Sequence, residues 1–166
     1  SNTTGRPVWN ILHGNEGPAS SSGMVDSGVI TLDHLRKAAA NDGINAVEID
    51  MLYHEDNFYA AHDHEKCDPE PGQRVACYPL VPYLQEVESN PNITLLWVDP
   101  KAMAKWTKKG KTLADLAILV RTHVVTKEIY WGLGSGRSLQ NRDLEMLAES
   151  GITDREGVSF DSGKCC

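Results

Sequence analysis

The sequence is short of positive charge: 16 Lys and Arg stand against 23 Asp and Glu, a formal net charge of −7. A surface that neutralises a phosphate backbone needs clustered cations, so this balance argues against nucleic acid as a partner. The one dense group of lysines, at 101–111, reads as a solvated loop. Long apolar runs are missing too, and none approaches the roughly 18–20 residues that cross a bilayer. No signal-peptide pattern stands at the start, as expected of a mature or a cytosolic chain. The glycine-rich stretch 132–136 lacks the spacing of a dinucleotide loop and has no acidic ribose partner after it, so it reads as a strand-end turn. Cysteine is sparse: there are four, and their spacing fits no zinc ribbon or finger.

The chain has 166 residues, 40% of them hydrophobic and 23% charged, which is expected of a single domain (1–166) with its own core. Cys67 and Cys77 bracket a short polar loop rich in Pro, Gly and Asp. A disulfide closing that loop would contribute about 2–3 kcal/mol through loop entropy. Cys165 and Cys166 end the chain, and four cysteines leave three pairings open. Cysteine content and two glycosylation sequons, at Asn2 and Asn92, lean towards an oxidising compartment and a secreted protein.

The stretch 45–51 organises the rest. Ala46, Val47, Ile49 and Met51 are apolar and follow a glycine turn at Gly43, the pattern of a buried parallel strand. Glu48 and Asp50 interrupt it two residues apart and therefore share one face. Like charges on a buried strand need a cation between them or a proton on one. They read as half of a hard-metal site; the alternative is a strand end where both acids face water.

Further strands are expected at 8–13, 58–61, 93–98, 129–133 and 157–160, and helices at 31–41, 80–89, 112–126 and 139–150. Apolar stripes at helical spacing mark the helices: Leu32, Leu35, Ala38 and Ala39; Leu80, Tyr83, Leu84 and Val87; Leu113, Leu116, Ala117, Val120 and Val124. Alternating strands and helices imply a parallel sheet with helices outside it. The expected fold is α/β, a TIM-type β/α barrel of which this chain supplies about the first five strand–helix units of the eight that close such a barrel. A second chain, a processing event or self-association would complete it. Trp9, Trp97 and Trp131 read as core or rim residues, and Trp106 as the tryptophan that meets lipid.

Polar residues gather just after strand ends: His13, Glu48, Asp50, His62, Asp99, Lys101 and Asp161. Three carboxylates with water hold one Mg²⁺ or Ca²⁺. Two histidines can act as general base and general acid because imidazole titrates near neutrality. A lysine beside the metal neutralises a phosphate oxygen. Together these groups suit displacement at a phosphodiester. The histidines of His62-Asp63-His64 also suit Zn²⁺ or Cu²⁺, but the oxygen-rich partners argue for a hard cation.

The ordered motifs Val8-Trp-Asn-Ile-Leu-His13, Ala46-Val-Glu-Ile-Asp50, His62-Asp63 and Trp97-Val-Asp-Pro-Lys101 resemble those of the secreted sphingomyelinase D/phospholipase D toxins. These form a branch of the glycerophosphodiester phosphodiesterase superfamily. The likeness covers residues 6–101 and continues more loosely to 157–161. It implies Glu48, Asp50 and Asp99 as Mg²⁺ ligands, His13 and His62 as the catalytic pair, Lys101 on the substrate phosphate, and Cys67–Cys77 as the disulfide of the catalytic loop. The implied reaction acts on a choline phospholipid such as sphingomyelin or lysophosphatidylcholine at a membrane surface. A substrate hydroxyl attacks phosphorus, choline leaves and a cyclic phosphate forms. Two other readings stand beside it: a glycerophosphodiesterase acting on small soluble diesters, and a non-catalytic half-barrel that needs a partner chain. The sequence departs from the family in lacking the later barrel strands and in its longer Gly/Ser-rich stretch after His13. His64 also lies two residues from His62, where the catalytic assignment could slip; the His-Asp pair favours His62.

Overall fold

A computed structural model of the chain describes residues 8–13, 30–41, 43–68, 70–72, 76–133 and 137–160. The expected loop at 14–28, the sequon at Asn2, the turn residues 134–136, Asp161, Cys165 and Cys166 lie outside them.

The elements run β1 (Ile11–Leu12), α1 (Leu32–Asn41), β2 (Ala46–His54), β3 (Asn57–Ala60), a 3-10 turn (His64–Lys66), β4 (Tyr78–Pro79) and α2 (Leu80–Ser89). There follow β5 (Leu95–Pro100), α3 (Met103–Thr107), α4 (Leu113–His123), β6 (Glu128–Leu133), α5 (Arg137–Glu149) and β7 (Glu156–Phe160). The strands form one seven-stranded mixed sheet. Its parallel part is ordered β1-β2-β5-β6-β7, each strand beside the next parallel one in the chain. The α/β class is therefore as expected, and the sheet is open: among the described residues β1 pairs only with β2, and β7 only with β6.

One expected barrel strand takes another role. β2 runs on to His54, and β3 returns antiparallel to it, pairing Met51 with Ala60 and His54 with Asn57. The two residues between them, Glu55 and Asp56, have φ of 40° and 67°. A two-residue turn with positive φ at both positions joins antiparallel strands, whereas a parallel neighbour needs a crossover of a dozen or so residues. The stretch 58–61 is thus half of a hairpin, extended by β4, and not a unit of the parallel series.

The lysine-rich stretch 101–111 also differs from a plain solvated loop. It contains α3, which rests on β2. Met103 and Trp106 are three residues apart and share a helical face. Trp106 is wholly buried, with its ring edge-on to Phe58 at 5.5 Å. It is a core residue and not the tryptophan that meets lipid.

Helix α4 begins where its sequence provides a cap: Thr112 N–H donates to Asp115 Oδ2 at 2.8 Å, and Asp115 in turn takes the Thr112 hydroxyl at 3.0 Å. Its stripe of Leu113, Leu116, Ala117 and Val120 is buried. α1 touches α2, α2 touches α4, and α4 touches α5, so the helices form a single layer along the sheet. Val47, Ile49, Met51, Leu96, Val98, Ile129 and Trp131 join the core that this layer encloses.

The alternate residues point the other way. Parallel register sets Glu48 beside Trp97, Asp50 beside Asp99, and Trp97 beside Tyr130. This second face is only partly covered: Ile11 is 36% and Tyr130 37% exposed. Two glycines make room for its aromatics. A Cβ on Gly132 would stand 2.9 Å from Trp97 Nε1, and one on Gly157 would fall 1.9 Å from the Tyr130 ring. Gly132 is therefore part of β6 and accommodates an indole; it is not a turn residue.

Cys67 and Cys77 are bonded, closing a loop with a sequence separation of 10. Cys77→Ser is expected to cost about 2–3 kcal/mol. Denaturant midpoints in non-reducing buffer measure this, and reduction should bring the parent chain to the same value. A variant with the parent's midpoint would mean that the loop does not rely on the bridge.

Candidate metal and catalytic site

Local structure brings the expected carboxylates together. Glu48 and Asp50 lie on the same face of β2 because they are two residues apart, and parallel pairing with β5 puts Asp99 beside Asp50. One oxygen from each of Glu48, Asp50 and Asp99 lies within 4.8 Å of the others. That is a donor set for a hard divalent cation.

Burial strains this group electrostatically. Desolvation raises the Glu48 carboxyl above its ordinary value; His13 opposes the shift, while Asp99 and Asp50 add to it. Asp50 is raised as well, by burial first, against the pull of Lys101. Its Oδ1 is buried and has no aligned hydrogen bond, although Lys101 Nζ lies 3.1 Å away as an ion pair. Three carboxylates with one ammonium and one histidine are short of positive charge, which a bound cation would supply.

Lys101 follows the end of β5 and its backbone N–H donates to Met51 C=O at 2.8 Å, which locks the strand ends together. Its ammonium reaches Asp99 at 2.5 Å and Asp50 at 3.1 Å. Burial lowers the lysine, but the hydrogen bond to Asp99 and the charge on Asp50 outweigh it, so the net shift is upward and the ammonium stays charged.

His13 is the residue after β1, and its Nε2 lies 3.4 Å from Glu48 Oε1. Asn45 anchors that strand: its side chain accepts from Asn10 N–H at 2.7 Å and donates to Val8 C=O at 2.9 Å. His62 follows the hairpin, where Ala61 N–H donates to Asp50 C=O at 3.0 Å. Its Nδ1 pairs with Asp63 Oδ2 at 2.9 Å. Glu48, Asp50, Asp99, Lys101 and His13 thus form a connected group, with His62 on an adjoining exposed segment.

Sequence reasoning missed two features. The aromatic pair Trp97 and Tyr130, with ring centroids 6.4 Å apart, stands on the face that carries the carboxylates. Only the strand register reveals it. A second group of metal-ligating type, His54, Glu55 and Asp68, joins the hairpin turn to the disulfide loop. The bond between Cys67 and Cys77 was its one sequence signal, because it holds Asp68 near the hairpin.

Among the described residues no helix is long and apolar enough to cross a membrane. No family model and no curated protein matches the chain.

Proposed function

We propose that this chain carries the catalytic half of a Mg²⁺-dependent phospholipase D-like phosphodiesterase, secreted and acting on choline phospholipids such as sphingomyelin or lysophosphatidylcholine. The observation that carries the reading is the convergence of Glu48, Asp50 and Asp99 within 4.8 Å. Lys101 and His13 touching the same carboxylates support it. The motifs shared with sphingomyelinase D-type toxins supply the substrate class, and the consecutive parallel order of the sheet is that of a β/α barrel's first strands.

Glu48, Asp50 and Asp99 would hold Mg²⁺, which when bound supplies positive charge to a phosphate oxygen. Lys101 turns its ammonium from the carboxylates to a second phosphate oxygen. Of His13 and His62, one takes the proton of the attacking substrate hydroxyl as its oxygen bonds to phosphorus. The other gives a proton to the choline oxygen as its bond to phosphorus breaks. The products are free choline and a cyclic phosphate. Trp97 and Tyr130 offer aromatic faces of the kind that attract a quaternary ammonium group.

Phosphorus NMR of each lipid incubated with the protein tests this. A cyclic-phosphate signal that appears with Mg²⁺ and is abolished by EDTA is the expected result. Hydrolysis of glycerophosphocholine in place of the lipids would favour the small-diester reading.

The open sheet favours a second reading of the assembly. With β1 and β7 each paired on one side only among the described residues, and Ile11 and Tyr130 exposed, further strands have edges to join. Further residues of the same polypeptide, a partner chain or a second copy would each supply them. Silence of both lipids with the isolated chain, and turnover once such a chain is added, is the result this reading predicts.

A further inference from the structure

The geometry points to a second metal site, for a borderline cation such as Zn²⁺, where the β2–β3 turn meets the disulfide loop, with His54, Glu55 and Asp68 as its ligands. It shares no residue with the acidic centre and does not rest on the proposed reaction. One donor atom from each of the three residues lies within 4.8 Å of the others. His54 Nε2 and Asp68 Oδ2 already stand 3.3 Å apart. Donors roughly 2.0–2.2 Å from a tetrahedral Zn²⁺ lie about 3.3–3.5 Å from each other, so this pair has the required spacing, and the exposed Glu55 carboxylate lies within 4.8 Å of both.

The backbone holds these donors in place. His54 ends β2 with its side chain 13% exposed, so the imidazole is fixed, while Glu55 and Asp68 are exposed and can adjust. Glu55 opens the two-residue turn. Asp68 follows disulfide-bonded Cys67, and its N–H donates to His64 C=O at 3.2 Å.

A second, independent observation lies behind His54. The Nδ1 atoms of His54 and His64 are 3.4 Å apart, and among the described residues the buried His64 Nε2 has no hydrogen-bond partner. A histidine that binds a metal through one nitrogen donates the N–H of the other to a neighbour that orients the ring. With His54 Nε2 on the cation, its Nδ1–H donates to His64 Nδ1. His64 Nδ1 accepts through its ring lone pair. His64, which sequence reasoning weighed as an alternative to His62, is here a positioning residue for a different centre. One imidazole and two carboxylates suit Zn²⁺ or Mn²⁺. The cation would tie the hairpin turn to the disulfide loop across the segment that carries His62.

The test is calorimetric titration of Zn²⁺ into the full oxidised chain carrying Glu48→Gln and Asp50→Asn, which removes the acidic centre as a competitor. One equivalent should bind in the micromolar range or tighter and raise the melting temperature by about 5 °C at saturation. His54→Ala should abolish this binding, and Asp68→Asn should weaken it at least about tenfold. His54 belongs to the sheet and its loss can unfold the chain. Asp68 is 68% exposed, so its replacement keeps the test decisive. Absence of binding below about 1 mM, or binding that Asp68→Asn leaves unchanged, overturns the proposal.

Discussion

Under the proposed phosphodiesterase reading, Glu48→Ala is expected to lower turnover of a choline lipid by about 10²–10³-fold or more without unfolding the chain. Glu48 is one of three carboxylates that would hold the cation, and its Oε1 also faces His13 Nε2 at 3.4 Å. The change removes a ligand and a histidine partner together. It should not destabilise the fold, for a physical reason. Burial holds the Glu48 carboxyl above its ordinary value, so the folded state disfavours its charge. An acid of that kind weakens the fold as pH rises past its unfolded value, and alanine relieves the penalty at neutral pH. Phosphorus NMR for turnover, with thermal melts of the same samples, separates the two effects. Turnover equal to the parent's would sink the phosphodiesterase reading. Lost turnover with a collapsed melt would show instead that Glu48 supports the fold.

Glu156→Ala is expected to cost about 3–5 kcal/mol, a large part of the roughly 5–15 kcal/mol that a domain of this size has. Glu156 lies on the helix side of β7 with its side chain wholly buried. Arg121 of α4 grips it through Nε and Nη2, both at 2.8 Å, and Trp131 Nε1 donates to Oε2 at 2.7 Å. Thr153 adds its N–H and hydroxyl to Oε1 at 3.0 and 2.9 Å. Without Glu156, the Arg121 guanidinium, 14% exposed, is left with no counter-charge among the described residues.

The pH dependence of this prediction has a definite sign. Burial pushes the Glu156 carboxyl up, but the hydrogen bonds from Arg121, Trp131 and Thr153 pull harder, so its value is lowered overall. An acid lowered by folding stabilises above its unfolded value and loses that contribution as pH falls through the lowered one. Denaturant melts of parent and variant should therefore differ most at neutral pH and converge in strong acid. A gap that does not change with pH would mean that the Arg121 contact does not depend on the ionised carboxylate.

Local pattern carried much of this. The spacing of Leu80, Tyr83, Leu84 and Val87 identified α2, whose observed bounds are Leu80–Ser89. Alternation in 45–51 identified β2 and the shared face of Glu48 and Asp50, because a strand has a period of two residues. Cys67 and Cys77 paired as their short polar loop suggested. Misreadings arose where tertiary contacts decide. Residues 58–61 have the composition of any strand, and their antiparallel direction comes from the φ values of Glu55 and Asp56. Trp106 sits among lysines, yet α3 lies on the sheet and buries it. A charge-rich neighbourhood in sequence says little about which side of a short helix meets the core.

By itself the sequence determined the α/β class, the helices other than α3 and which acids share a face, since these follow from periods of 3.6 and 2 residues. Only the tertiary structure decided which strands lie side by side. Parallel register between β2 and β5 set Asp99 beside Asp50, and Trp97 beside Glu48. The hairpin turn and the disulfide set His54 against Asp68 and His64. Each of those meetings joins residues from separate elements, and the register or loop closure that makes them is fixed by the packing of the whole sheet, which no short stretch of chain encodes.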